Sequence, residues 1–163
     1  MLVVSDSSPI NFLIRMNCLH VLQQLFGGVT IPPQVAAELG HPNAPAEVRT
    51  LINQPPDWLR VQTPSRLERI PSLHSGEEAA ICLAQELHAD LILIDDGEAR
   101  KAAQLRGLTV TGLLGVLDRA DSEDLIRFAE VAQKLPAEYR IDARLVRATL
   151  ERSILRRSGK PLP

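Results

Sequence analysis

An α/β fold built on a parallel sheet is predicted by three features of the sequence. Short aliphatic or β-branched runs alternate with helical patterns along most of the chain. The run Leu91-Ile92-Leu93-Ile94 carries no polar alternation, as a strand buried on both faces of a parallel sheet requires. Acidic residues stand where such runs end or where the next helix begins, the places where an open parallel sheet gathers its ligand-binding groups. The architecture expected is α/β/α in three layers, with four or five parallel strands joined by right-handed crossovers.

Leu2-Val3-Val4 reads as the first strand and ends at Ser5-Asp6. Ser7-Ser8-Pro9 then opens a helix, with serine as cap and proline in the first turn. Leu19, Leu22, Leu25 and Phe26 recur at helical spacing and stop at Gly27-Gly28, a helix terminus. The β-branched run Val29-Thr30-Ile31 is a second strand stopped by Pro32-Pro33, and it feeds a helix that holds Val35, Glu38 and Leu39, with Glu38 about one turn in. Four prolines punctuate residues 53–75, where Trp58-Leu59-Arg60-Val61 is the one strand candidate. Ser75 is expected to cap the next helix. In it Ala80, Ile81, Ala84 and Leu87 follow Glu77 on one inward stripe, whereas Glu78 heads the more polar row of Cys82 and Gln85 and reads as a surface acid. Asp95-Asp96 ends the strand at 91–94. A helix over about 98–106 and a fifth strand at Leu108-Thr109-Val110 follow. From about residue 112 the pattern is helical almost to the end, with residues 158–163 expected to fray.

Length and composition bound the function classes. At 163 residues, 45% hydrophobic and 23% charged, the chain reads as a single domain over 1–163 with enough material for a proper core. No apolar run approaches the ~18 residues of a membrane span, and no basic leader precedes the first strand. Cys18 and Cys82 lie in apolar helical patterns and read as buried hydrophobes rather than a disulfide or metal pair, which favours a reducing compartment and a cytoplasmic location. The net charge of -2 is uneven. From Arg140 onward seven basic residues face two acids, so that segment carries +5 and the preceding body carries -7. Such a basic helix could meet a polyanion, an acidic partner or solvent. No Gly-rich loop precedes a Lys-Ser/Thr pair, which excludes a nucleotide-driven motor. Aromatic residues are 3% of the chain, too few for base-stacking platforms.

Asp6 and Asp96 end strands, while Glu38 and Glu77 lie in helices that follow other strands. Two carboxylates about 4 Å apart repel by about 4 kcal/mol at an effective dielectric of 20, so convergence implies a bound cation. Hard oxygen ligands of this kind suit Mg²⁺ or Mn²⁺, and the implied chemistry is metal-assisted phosphodiester hydrolysis. Arg100, one turn after Asp96, is a candidate phosphate contact or the partner of Asp96 or Glu98. His74 reads as a loop histidine beside the Ser-Gly-Glu turn, with a proton-shuttle role as the alternative.

Five motifs, taken in order, match a known family: Val-Ser-Asp-Ser-Ser-Pro-Ile, Ile-Pro-Pro-Gln-Val-Ala-Ala-Glu-Leu, His-Ser-Gly-Glu-Glu-Ala-Ala-Ile-Cys-Leu-Ala, Leu-Ile-Asp-Asp-Gly-Glu-Ala-Arg and Gly-Leu-Thr-Val-Thr-Gly-Leu-Leu-Gly-Val-Leu. The chain resembles a PIN domain, in particular the prokaryotic branch similar to VapC-type toxins. The resemblance implies a metal-dependent ribonuclease fold in which Asp6, Glu38, Glu77 and Asp96 ring one acidic pocket. Asp95 would lie beside it, as a further Mg²⁺ or Mn²⁺ ligand or as an acceptor of backbone N–H groups, and Ser7 would be a polar neighbour able to touch substrate. It also implies an RNA substrate, a small cognate antitoxin protein that covers the cleft, and a homodimer. Relatives commonly read Gly-Glu-Ala-Glu-Ala where this chain reads Gly-Glu-Glu-Ala-Ala, which displaces the second glutamate. A PIN domain that binds RNA or protein without cutting is the alternative. A receiver domain and an aspartyl phosphatase are disfavoured, the first by the roughly 70 residues left after Leu91, the second by Ser8 where a paired acid would stand.

Overall fold

The strands of the computed structural model, which describes residues 1–159, all run parallel in one five-stranded sheet. Strand β1 (Val3–Ser5) is fully buried and lies at the centre, in the order β3-β2-β1-β4-β5. Its register sets Val3, Val4 and Ser5 against Leu91, Ile92 and Leu93 of β4 (Leu91–Leu93), and Val4 against Thr30 of β2 (Val29–Ile31). β3 (Leu59–Val61) flanks β2, and β5 (Val110–Thr111) flanks β4. The chain moves from β1 to β2 and β3 on one side, then returns to place β4 and β5 on the other. The crevice at that reversal opens at the carboxyl ends of β1 and β4.

The chain divides into two compact units, Met1–Leu113 and the residues from Leu114 onward. In the first unit, helix α1 (Ser7–Arg15) buries Pro9, Ile10 and Leu13 and packs against α3 (Pro33–Leu39) and α4 (Ala46–Asn53). Helix α2 (His20–Phe26) buries Val21, Leu22, Leu25 and Phe26. These apolar side chains belong to the core of this unit. Helices α5 (Ser75–Glu86) and α6 (Gly97–Leu105) enclose the main apolar cluster with β1 and β4, through Val4, Ile81, Leu83, Ile92, Ile94, Ala99 and Ala103. Burying side chains of this size contributes about 1.5–3 kcal/mol each. Cys18 and Cys82 are buried free thiols.

The helix starts differ from the sequence expectation in two places, and both bring an acid or its partner to the boundary. Asp6, not a serine, occupies the N-cap of α1, and His74, not Ser75, occupies the N-cap of α5. Glu38 lies in the last turn of the seven-residue α3, not in its first. Strand β5 starts two residues later than the apolar run suggested, because Thr109 and Thr111 supply the carbonyls that accept from Ile92 and Ile94.

The second unit is helical: most of α7 (Leu113–Ser122), then α8 (Phe128–Val131), a 3₁₀ turn (Ala132–Lys134) and α9 (Ala143–Arg157). Much of the basic C-terminal charge is spent inside it. Arg152 and Arg156 reach Asp118 at 3.0 and 2.6 Å, Arg156 and Arg157 reach Asp121 at 3.0 and 2.9 Å, and Arg157 reaches Asp124 at 3.2 Å. Burial pushes the Asp121 carboxyl up. The Phe128 N–H, Arg157, Ser153 and Arg156 outweigh that push and hold it below the usual carboxylate range. Ser158 caps α9, whereas the rest of the expected fraying, at 160–163 with Lys160, lies outside the described residues. Among the described residues no helix is long and apolar enough to cross a membrane.

Candidate active site

Asp6 owes its position to the central strand. Its backbone N–H donates to Leu93 O at 2.9 Å, which extends the β1–β4 ladder one residue past the strand and pins the residue at the crevice. Its side chain is 3% exposed, and Oδ1 is buried without a hydrogen-bond partner. A buried carboxylate oxygen in that state is costly unless a proton or a cation meets it. Burial accordingly raises the Asp6 pKa from 3.8 to about 7. The N–H groups of Ser7 and Ser8 oppose the rise, and the charges of Glu38 and Glu77 add to it.

Glu38 reaches the same crevice from α3, where Ser7 Oγ donates to its Oε2 at 2.6 Å. That short charge-assisted bond ties the first turn of α1 to the last turn of α3. The opposite side of the Glu38 carboxylate is closed by Gly76. A Cβ on that glycine would collide with Oε1 and stand 2.9 Å from Cδ and 3.0 Å from Oε2. Glu77, at the third position of α5, turns back so that its Oε2 accepts the His74 N–H at 2.9 Å, as the N-terminal glutamate of a capping box does. Its pKa is raised by burial, opposed by that N–H, with the charge of Asp96 raising it, His74 lowering it and Glu38 raising it further. Asp96 caps α6 by accepting the Ala99 N–H at Oδ1, 3.0 Å away, and its side chain is otherwise exposed.

Asp6 feels the charges of Glu38 and Glu77, and Glu77 those of Asp96 and Glu38. Each carboxylate is at the same time tied to its own element by Ser7, His74 or Ala99. Among the described residues no three His, Cys, Asp or Glu side chains close around one point in a metal-ligand arrangement. The donor chemistry nevertheless fits a hard divalent ion: all four groups are carboxylates, and the buried Asp6 Oδ1 has an open lone pair.

Three other residues have backbone partners of their own. Asp95 Oδ1 accepts the Leu113 N–H at 2.8 Å, and a Cβ on Gly112 would stand within clashing distance of that oxygen. Asp95 thus braces the chain where β4 and β5 end, and Gly112 permits the close approach. Arg100 Nη1 donates to Ile94 O at 2.8 Å, which engages one end of this partly exposed guanidinium at the end of β4, and it forms no ion pair with Asp96 or Glu98 among the described residues. Glu78 is 9% exposed, and its Oε1 accepts the Ile70 N–H at 3.0 Å, which corrects its reading as a surface acid. Gly76 was not predicted as part of the site, and His74, read as a loop histidine or a proton shuttle, enters it through its backbone N–H. The Ser-Gly-Glu turn was their signal, since a glycine directly before an acid at a helix start marks close approach.

The comparisons with known proteins agree with this fold. A family model described as "DUF3368: PIN domain" matches residues 2–158. The chain belongs to the PIN domain family. PIN domains are generally nucleases and generally depend on divalent metal ions. Among solved structures, this PIN domain is similar to a PilT N-terminus domain protein from the hyperthermophilic archaeon Sulfolobus solfataricus P2. The two share 15% identity and a TM-score of 0.54, with 87% of this chain and 100% of that one covered, a likeness of fold. The search of curated proteins returned no match.

Proposed function

We propose that this PIN domain is an endoribonuclease dependent on Mg²⁺ or Mn²⁺, of the VapC type, and the toxin half of a toxin–antitoxin pair. The observation that carries the proposal is Asp6: a buried carboxylate with an open Oδ1, held near neutral pKa by burial and by the charges of Glu38 and Glu77. Asp6, Glu38, Glu77 and Asp96 are the residues that would hold the metal. Bound there, a divalent ion lowers the pKa of an attacking water and neutralises charge developing on the phosphate.

The chain's own groups set the rest. Ser7 orients the Glu38 carboxylate, the His74 N–H orients that of Glu77, and the Ala99 N–H orients that of Asp96. Burial favours the protonated form of Asp6 when no cation is present. RNA as substrate, the VapC likeness and the antitoxin rest on the motif order in the sequence. An acidic cup of this kind suits an antitoxin that inserts a basic side chain.

Cleavage of RNA with Mg²⁺ or Mn²⁺, wild type against Asp6→Asn, tests the proposal. Wild type should cut and the variant should not. Equal cleavage by the two proteins removes the nuclease reading, and RNA binding without cleavage by wild type moves the assignment to a non-cutting module.

A further inference from the structure

The connection between β3 and α5 is irregular in secondary structure yet tied down along its whole length. Three side chains of α5, four residues apart, accept backbone N–H groups from it in reverse order. Glu78 takes Ile70 at 3.0 Å, Cys82 Sγ takes Glu68 at 3.3 Å, and Glu86 takes Ser65 at 2.7 Å, with the Ser65 hydroxyl adding a bond of 2.8 Å. Pro64 and Ile70 are buried at its two ends, and residues 65–69 between them are exposed. The strap then passes through Leu73 to His74, whose N–H holds the Glu77 carboxylate.

The strap displays two cations, Arg66 and Arg69, beside the exposed acids Glu68 and Glu86. Arg66 is exposed and makes no ion pair among the described residues. The Arg69 side chain is 94% exposed, and its one partner is Glu78 Oε1 at 3.5 Å, a surface contact worth about 0–1 kcal/mol that leaves both terminal nitrogens open. Glu68, the acid between them, is offset by Arg106 at 3.7 Å. Arg49, Arg100 and Arg106 of this unit each donate to a backbone carbonyl, those of Pro42, Ile94 and Ala102, while Lys101 on α6 is exposed. Arg60 lines a cavity with Met1, Leu2 and Val3 at the amino-terminal edge of the sheet, the end opposite the acids.

A cup of four carboxylates repels a polyanion, so a phosphodiester chain that enters it needs fixed positive charge nearby. A segment held rigid before binding also spares the ordering cost of a loop. We propose that residues 64–70 form a track for the RNA backbone leading to the acidic crevice, with Arg66 and Arg69 as its phosphate contacts. This rests on the nuclease reading above and adds the substrate path to it.

The test uses the full chain with Arg66→Ala, Arg69→Ala, the double variant and Arg60→Ala as a charge-matched control. Two substrates are compared in Mn²⁺: an RNA oligonucleotide long enough to lie across the strap and a dinucleotide that is not. Loss of one charge-assisted contact should lower kcat/KM on the oligonucleotide by roughly tenfold per arginine, with dinucleotide cleavage and the control unchanged. Binding of the labelled oligonucleotide in EDTA gives a second readout, in which the slope of log K against log salt should fall by about 0.7 for each arginine removed. The track is overturned if long and short substrates suffer equally, if neither suffers, or if Arg60→Ala matches the strap variants. Should wild type cut neither substrate, the nuclease reading fails by itself. The salt slopes then decide the track: a selective fall for Arg66 and Arg69 keeps it as a binding surface, and equal slopes remove it.

Discussion

Replacing Asp6 by Asn keeps the shape of the protonated carboxyl and removes its ability to ionise. In the folded protein Asp6 titrates at about 7, against 3.8 ordinarily. Between those values the unfolded chain has already released this proton while the native state retains it, so native stability falls as pH rises. The group's stabilising contribution is complete below about pH 4 and is lost progressively up to about pH 7. At about 1.4 kcal/mol per pH unit the full loss amounts to about 4 kcal/mol, which Asp6→Asn escapes. Glu77 is also raised but is present in both proteins, so most of its effect cancels in the difference. Guanidinium unfolding in EDTA, followed through the single tryptophan Trp58, measures that difference across the pH range. The advantage of the variant should grow from about pH 4, reach about 4 kcal/mol and level off above about pH 7. Saturating Mg²⁺ should then narrow it, because a ligand at 100 times its Kd stabilises wild type by about 2.7 kcal/mol and finds no ionised Asp6 in the variant. A difference independent of pH would refute the account of Asp6 as a desolvated carboxylate.

Four further outcomes follow from the geometry. Ser7→Ala removes the donor to Glu38 and should cost about 10–100-fold in kcat/KM with an unchanged circular dichroism spectrum, the range of a lost hydrogen bond to a charged group. Gly76→Ala drives a methyl group into the Glu38 carboxylate, so thermal unfolding should show a loss of about 1–3 kcal/mol together with lower activity. Glu78→Ala orphans the Ile70 N–H and should accelerate hydrogen exchange there at a cost of about 1–3 kcal/mol, whereas Glu78→Gln, which keeps an acceptor, should restore protection. In the second unit Asp121 is held below the usual carboxylate range. Stability there should be retained at neutral pH and lost as pH falls through the lowered value, and Asp121→Asn should abolish that acid transition in pH-resolved hydrogen exchange at Phe128.

Much of this molecule was legible in the chain because the signals are local. The unbroken apolar run at 91–94 and the β-branched run at 29–31 define strands by themselves, and proline and glycine mark where they stop. Parallel strands then force their carboxyl ends to one side, which gathers Asp6 and Asp96 without further information. Glu38 and Glu77 were reachable from helical spacing and the motif order. The basic C-terminal helix was less legible, since charge counts do not reveal that Asp118, Asp121 and Asp124 lie within reach of Arg152, Arg156 and Arg157.

The sequence by itself determined the parallel sheet and the alternation of its strands and helices, because hydrophobic period and turn chemistry act over a few residues. The tertiary structure alone decided the roles of neighbours in the chain. Asp95 braces the start of α7 while Asp96 caps α6 and is exposed, and Glu78 is buried under a strap while Glu77 turns back to the His74 N–H. Adjacent carboxylates have the same intrinsic chemistry, so their fates differ only through the distant backbone N–H groups that folding brings to one and withholds from the other.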